Sequence, residues 1–136
     1  MIKGVTKVKE IVVEVPNKVG TLASLTQALA EKSIDVWALT VSTNLDHATI
    51  QIVTCSNAKA LKVIAQLGWS AREREIVQVE LLNKVGAANT VSLTLASADV
   101  NIESIYGSAL NVKAPAVFIV PSDVSKAVKV LRSACA

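Results

Sequence analysis

The chain has 136 residues, 51% of them hydrophobic, with a mean hydropathy of +0.47 and a formal charge of +3. This is ample core material for a compact protein, while no apolar stretch exceeds about five residues, far too short to span a bilayer. Basic residues form no block that would mark a nucleic-acid tail, and two cysteines outside any CxxC pair exclude a disulfide framework.

Residues 4–9 read as strand material. Glu10 to Val15 is an apolar, β-branched run, and Pro16 ends it because proline has no N–H for a sheet ladder. From Thr21 to Lys32, Leu22, Leu25 and Leu29 share one side at helical spacing, with Ile34 just beyond. Val36 to Thr43 is a strand, Asn44-Leu45-Asp46 a turn, and Ala48 to Thr54 the returning arm of a hairpin. Ser56 or Asn57 can cap a helix over Ala58 to Leu67, with Leu61 and Ile64 inward and Lys59 and Lys62 outward. Gly68 ends that helix, and Ser70 to Leu82 is one long strand.

Beyond this point the chain repeats itself. Asn17-Lys18-Val19-Gly20 recurs as Asn83-Lys84-Val85-Gly86, a period of 66 residues (83 − 17). Lys59-Ala60-Leu61-Lys62-Val63-Ile64 is echoed from Lys126 to Leu131 at a period of 67 (126 − 59), which implies one inserted residue near position 110. Ala87 to Ser97 holds Thr90, Val91, Ser92 and Thr94 and would favour a strand on propensity. The repeat makes it a helix, with Val91 in the place of Leu25 and Leu95 in that of Leu29. Asn101 to Ser108 and Ala116 to Pro121 form the second hairpin. Ser122 or Asp123 caps a last helix with apolar positions Val124, Val128 and Leu131.

Each copy reads β-α-β-β-α, and the second lacks a fourth strand while residues 2–9 are left over. A reciprocal exchange resolves both. Strands 4–16 and 70–82 pair antiparallel along their length, and the first half of the former completes the second copy. Lys7, Lys9, Glu10 and Glu14 then oppose Arg72, Glu73, Arg74 and Glu75, so unlike charges can face each other. The units expected are residues 8–75 and residues 76–136, the latter with its fourth strand from residues 2–9.

The repeated Asn-Lys-Val-Gly lies where strand one meets helix one. Mechanically, glycine permits a tight turn, asparagine can cap the helix and lysine is solvated. Functionally, exposed amides at a helix start attract anions such as a carboxylate. Val15-Pro16-Asn17-Lys18-Val19-Gly20-Thr21-Leu22, with Ile34-Asp35-Val36 after the helix, resembles the ACT domain, an amino-acid-sensing βαββαβ module. Asn83 to Ala88 with Val100-Asn101-Ile102 resembles it again, and the resemblance runs from about Val8 to Leu131. It implies an α+β fold of two ferredoxin-like units side by side, with antiparallel sheets and the helices on one face of each.

In amino-acid-binding members of that family, the first loop and the start of strand two of a neighbouring domain enclose the ligand. Carried over, the ligand-binding candidates are Asn17, Lys18, Val19, Gly20 and Asp35, and Asn83, Lys84, Val85, Gly86 and Asn101. Loop amides and asparagine would fix the carboxylate, and Asp35 or Asn101 would accept from the ammonium. Valine stands in both loops where the family usually has proline, and Asp35 and Asn101 differ, so the two pockets need not be equivalent.

The remaining inventory is sparse. His47 is the only histidine and reads as a surface residue, and no cluster of histidine and cysteine suggests a metal. Trp37 and Trp69 read as packing or interface residues, Tyr106 and Phe118 as core or rim, and Cys55 and Cys135 as small apolar side chains. No catalytic motif is present. The expectation is a non-catalytic, cofactor-free, cytoplasmic regulatory module that binds a free amino acid and acts through its own assembly, as a homodimer, or through a partner protein. Its alternatives are the small regulatory subunit of an amino-acid biosynthetic enzyme and a ferredoxin-like RNA-binding module. RNA recognition would need aromatic residues on central strands, and aromatics make up 3% of the chain.

Overall fold

The structure, a computed structural model, describes residues 1–109 and 113–135, so the insertion expected near residue 110 lies outside the described residues. Its elements are β1 (Ile2–Pro16), α1 (Thr21–Glu31), β2 (Val36–Asn44), β3 (His47–Thr54), α2 (Asn57–Gln66), β4 (Ala71–Leu81), α3 (Ala87–Ser97), β5 (Ile102–Ser108), β6 (Ala116–Pro121) and α4 (Val124–Ser133). The chain divides into two compact units, Lys9–Arg74 and Met1–Val8 together with Glu75–Ala136. The long strands β1 and β4 each contribute one segment to either unit.

In the unit of residues 9–74 the strand order is β2-β3-β1-β4. β1 pairs antiparallel with β3 from Ile11 opposite Ile52 to Pro16 opposite His47, and β2 pairs with β3 from Val36 opposite Thr54 to Asn44 opposite His47. Alternation sends Ile11, Val13 and Val15 to the face where α1 and α2 lie. There they pack with Leu25, Leu29, Ile50, Ile52 and Ile64 into one core. Leu25 and Leu29 are four residues apart, and Ala60, Val63 and Ile64 likewise share a stripe, so each helix has one face to bury.

The second unit repeats the order as β5-β6-β4-β1, its last strand coming from the start of the chain. Ile2 and Val5 join Val77, Val79, Leu81, Val91, Leu95, Ile119 and Leu131 in its core. The exchange is visible in single contacts. The Leu82 amide donates to the Met1 carbonyl at 2.9 Å, and Lys7 lies 3.5 Å from Glu75. In the other unit Arg74 meets Glu10 at 2.6 Å. The fold class is as the resemblance implies, and the exchanged long strands are as the strand count of the repeat implies.

α3 is helical despite its composition because the repeat buries Val91 and Leu95 against the sheet. Its hydroxyls do not compete for other structure. Thr90, Ser92 and Thr94 donate to the carbonyls of Gly86, Ala88 and Thr90 one turn back, at 3.1, 3.0 and 2.7 Å.

Candidate functional site

Each repeated loop folds the same way. Gly20 and Gly86 precede α1 and α3 with φ of 90° and 94°, the left-handed region where a Cβ would be strained. Lys18 and Lys84 amides turn back to the carbonyls of Pro16 and Leu82, at 3.0 and 2.8 Å. The Val19, Gly20, Val85 and Gly86 amides have no acceptor among the described residues. Val19 and Val85 project into solvent, 107% and 84% exposed, so valine in place of proline leaves an apolar tip on each loop.

Asn17 does not cap α1, contrary to the mechanical reading. Its side-chain amide donates to the Leu45 carbonyl at 2.9 Å and its backbone amide to the Asp46 carbonyl at 2.9 Å. It lies three residues before the helix-capping glycine, so its side chain fastens the loop to the β2–β3 hairpin instead. Ser56 precedes α2 without a side-chain cap, while Asn57 accepts from the Thr54 hydroxyl at 2.7 Å and donates to the Lys9 carbonyl at 2.9 Å. Asp123 caps α4 by accepting from the Lys126 amide at 3.0 Å.

The other pair of candidates, Asp35 and Asn101, sits elsewhere. The Asp35 amide donates to Cys55 Sγ at 3.3 Å and its carbonyl accepts from the Cys55 amide at 3.0 Å. Asn101 makes the same two bonds with Ser122, both at 2.9 Å. Cys55 is thus an exposed acceptor standing where the repeat has a serine, not an apolar filler. Because β1 and β2 both pair antiparallel with β3, they run in the same direction. Pro16 and Asn44 are level at one end, and Val36 lies eight residues from Asn44, roughly 26 Å at 3.3 Å per residue. A single unit therefore does not bring Asn17–Gly20 together with Asp35. The same register separates Asn83–Gly86 from Asn101.

What each unit does bring to its loop is a cleft with a glutamate. Glu14, Val15, Pro16, Asp46 and His47 line an open cleft of about 620 Å³ beside Asn17. Glu80, Leu81, Leu82, Asn83, Lys3 and Lys113 line one of about 180 Å³ in the second unit. Glu14 and Glu80 are repeat equivalents (80 − 14 = 66), so the duplicated motif is Glu-x-x-Asn-Lys-Val-Gly. Sequence reasoning overlooked them because glutamate on a strand reads as a solvated position. Glu14 also accepts from the Thr49 hydroxyl, at 2.9 and 3.1 Å.

His47 is exposed and lies 3.3 Å from Asp46. Trp37 is 65% exposed at the β2 bulge, while Trp69 packs against the core of its unit. Tyr106 and Phe118 stack with centroids 5.5 Å apart. Among the described residues no group of three His, Cys, Asp or Glu side chains could hold a metal ion, and no helix is long and apolar enough to cross a membrane.

The profile of a family described as the ACT domain pair matches residues 6–134. No curated protein matches the sequence. Among solved structures, a protein from Bacteroides thetaiotaomicron is similar with a TM-score of 0.87 and 27% identity, over 96% of this chain and 90% of that one. The ligand-free regulatory subunit of aspartate kinase from Thermus thermophilus is similar at a TM-score of 0.69 and 20% identity, over 98% and 99% of the two chains. Aspartokinase III from E. coli, in complex with lysine and aspartate, matches at 0.60 and 21%, over 98% of this chain and 33% of its own.

Proposed function

The chain belongs to the ACT domain pair family, and from that premise we propose that it is a non-catalytic regulatory module that binds a free amino acid. The observation that carries this reading is the duplicated loop. In both units a left-handed glycine opens a helix, two loop amides have no acceptor among the described residues, and a glutamate stands at the adjoining cleft. Unpaired amides at a helix start suit a carboxylate. A glutamate, or Asp35 or Asn101 from a neighbouring unit, suits an ammonium. A zwitterion needs both.

In this reading Asn17, Lys18, Val19 and Gly20 hold the ligand in the unit of residues 8–75, and Asn83, Lys84, Val85 and Gly86 hold it in residues 76–136 with strand 2–9. Since loop and strand-two start lie at opposite ends of a unit, Asp35 and Asn101 serve a ligand held by a loop outside their own unit, and in this reading that loop belongs to a second chain. A homodimer is the assembly that supplies one. The output is a change in that assembly or in affinity for a partner, such as an amino-acid biosynthetic enzyme in the cytoplasm. Aspartate kinase regulatory subunits of the same fold give that partner its chemical class. The exposed Trp37, Leu39 and Val41 on edge strand β2 support an association surface.

A thermal-shift panel of the twenty amino acids tests this, with Asn17→Ala and Asn83→Ala beside the parent chain. A rise in Tm for one chemically related group, reduced in one variant, is expected, because a ligand that binds the folded state must stabilise it. No shift across the panel would overturn the amino-acid reading.

A further inference from the structure

We propose that the cleft between the C-terminal end of α1 and the exposed stripe of α2 binds a small phosphorylated anion. The cleft measures about 320 Å³ and is lined by Lys32, Lys59, Lys62, Val63 and Gln66. Lys59, Lys62, Val63 and Gln66 fall on one stripe of α2 at helical spacing, and Lys32 follows the last turn of α1. Three lysines therefore line one concavity. No carboxylate lines it, and none of the ion pairs among the described residues involves these lysines. Glu31, next in sequence to Lys32, is engaged by Gln27 at 3.1 Å.

Like charges gathered in a concavity raise the local potential and draw a counter-ion into it. The charge count selects the ligand. A free amino acid brings one carboxylate and one ammonium, and three lysines would repel the latter. A phosphate ester or pyrophosphate brings two to four negative charges and several acceptor oxygens, which three lysine ammonium groups match as point charges. The volume is at the low end of small-molecule pockets. Val63, 7% exposed, gives an apolar floor, and Gln66 adds a polar side chain to the lining. The basic stripe runs only from Lys59 to Gln66, about two turns of α2, which is too short for an extended acidic peptide or nucleic acid.

The repeat supplies an internal control. The equivalent positions of the second unit are Ala98, Lys126, Lys129, Val130 and Ser133, so two lysines are kept and the third is lost. Binding that depends on convergence should reside in the first unit alone.

Calorimetric titration of the full chain with inorganic pyrophosphate, and separately with ATP, in about 50 mM salt is the test. One equivalent per chain is expected, with affinity falling about tenfold in Lys32→Ala and further in Lys59→Ala/Lys62→Ala, and unchanged in Lys126→Ala/Lys129→Ala. Tighter binding of ATP would mark a nucleotide ligand, and equal binding a simple phosphate. All these lysines are exposed, so the variants fold; circular dichroism checks it. No saturable binding, equal weakening by the Lys126/Lys129 variant, or preference for a hexaglutamate peptide over pyrophosphate would overturn the proposal. The titration contains no amino acid, so its failure leaves the amino-acid reading untouched.

Discussion

Glu10 has no solvent exposure, and a carboxylate is stable there only because its charge and its lone pairs are matched. Arg74 Nε donates to it at 2.6 Å, and the Gln51 amide lies at 3.2 and 3.3 Å from its two oxygens. Arg74→Ala would remove one partner of a buried ion pair, which costs about 3–5 kcal/mol. Urea unfolding read by tryptophan fluorescence, with both tryptophans in the same unit as the pair, should show the midpoint fall accordingly. A loss below about 1 kcal/mol would mean that Gln51 and the remaining surroundings satisfy Glu10 alone. Opposed charges on β1 and β4 were legible from the antiparallel pairing of two charged runs. That Glu10 is the buried member was not. Burial depends on which face of a two-sided strand is closed, and a run with charges at Lys7, Lys9, Glu10 and Glu14 does not declare it. Asn17 is a similar case. Its residue type suits a cap, but its distance from Gly20 sends it to the hairpin carbonyl of Leu45.

At the scale of elements, β1 is the member on which both cores depend. Ile2 is fully buried in one core, and Ile11 and Val13 are fully buried in the other, along one strand of fifteen residues. Truncating a buried isoleucine costs about 2–5 kcal/mol. Ile2→Ala should therefore lower the urea midpoint seen by far-ultraviolet circular dichroism. If the shared strand makes the fold cooperative, the midpoint seen by Trp69 fluorescence in the other unit falls with it. A tryptophan transition that stays in place while the dichroism transition splits would show that each unit unfolds alone. The exchange could be inferred from sequence by counting strands, because a four-stranded unit lacking one and a surplus run at residues 2–9 have one economical solution. α3 was legible only through the repeat. Its Thr and Val content argues for a strand, and burial of Val91 and Leu95 outweighs a propensity deficit of a few tenths of a kcal/mol per residue. Glu14 and Glu80 show the converse, a true repeat hidden because a glutamate on a strand reads as a solvated position.

At the scale of the molecule, the register of β1, β2 and β3 constrains how an ACT site can be assembled. Two groups roughly 26 Å apart within one unit cannot both touch one amino acid, whose own length is about a quarter of that distance. If Asp35 or Asn101 contributes at all, it does so to a loop outside its own unit, and a loop on another chain is the arrangement proposed above. Complementation between two defective chains tests this. One chain carries Asn17→Ala and Asn83→Ala, the other Asp35→Ala and Asn101→Ala, and each alone should lose most of the stabilisation by the amino acid that the panel identifies. After the two are mixed, unfolded and refolded together, chains with intact loops meet chains with intact strand-two starts. Pockets across such mixed pairs are whole again, so part of the Tm rise should return, and more of it at higher protein concentration because association is the limiting step. Recovery would also make ligand binding and dimerisation two readings of one equilibrium, since a ligand seated across two chains binds only the associated state and must favour it by the same factor. No recovery in a mixture shown by sedimentation to contain mixed dimers would remove Asp35 and Asn101 from the interchain site. Glu14 and Glu80, on the loops' own clefts, would then be the acceptors for the ammonium.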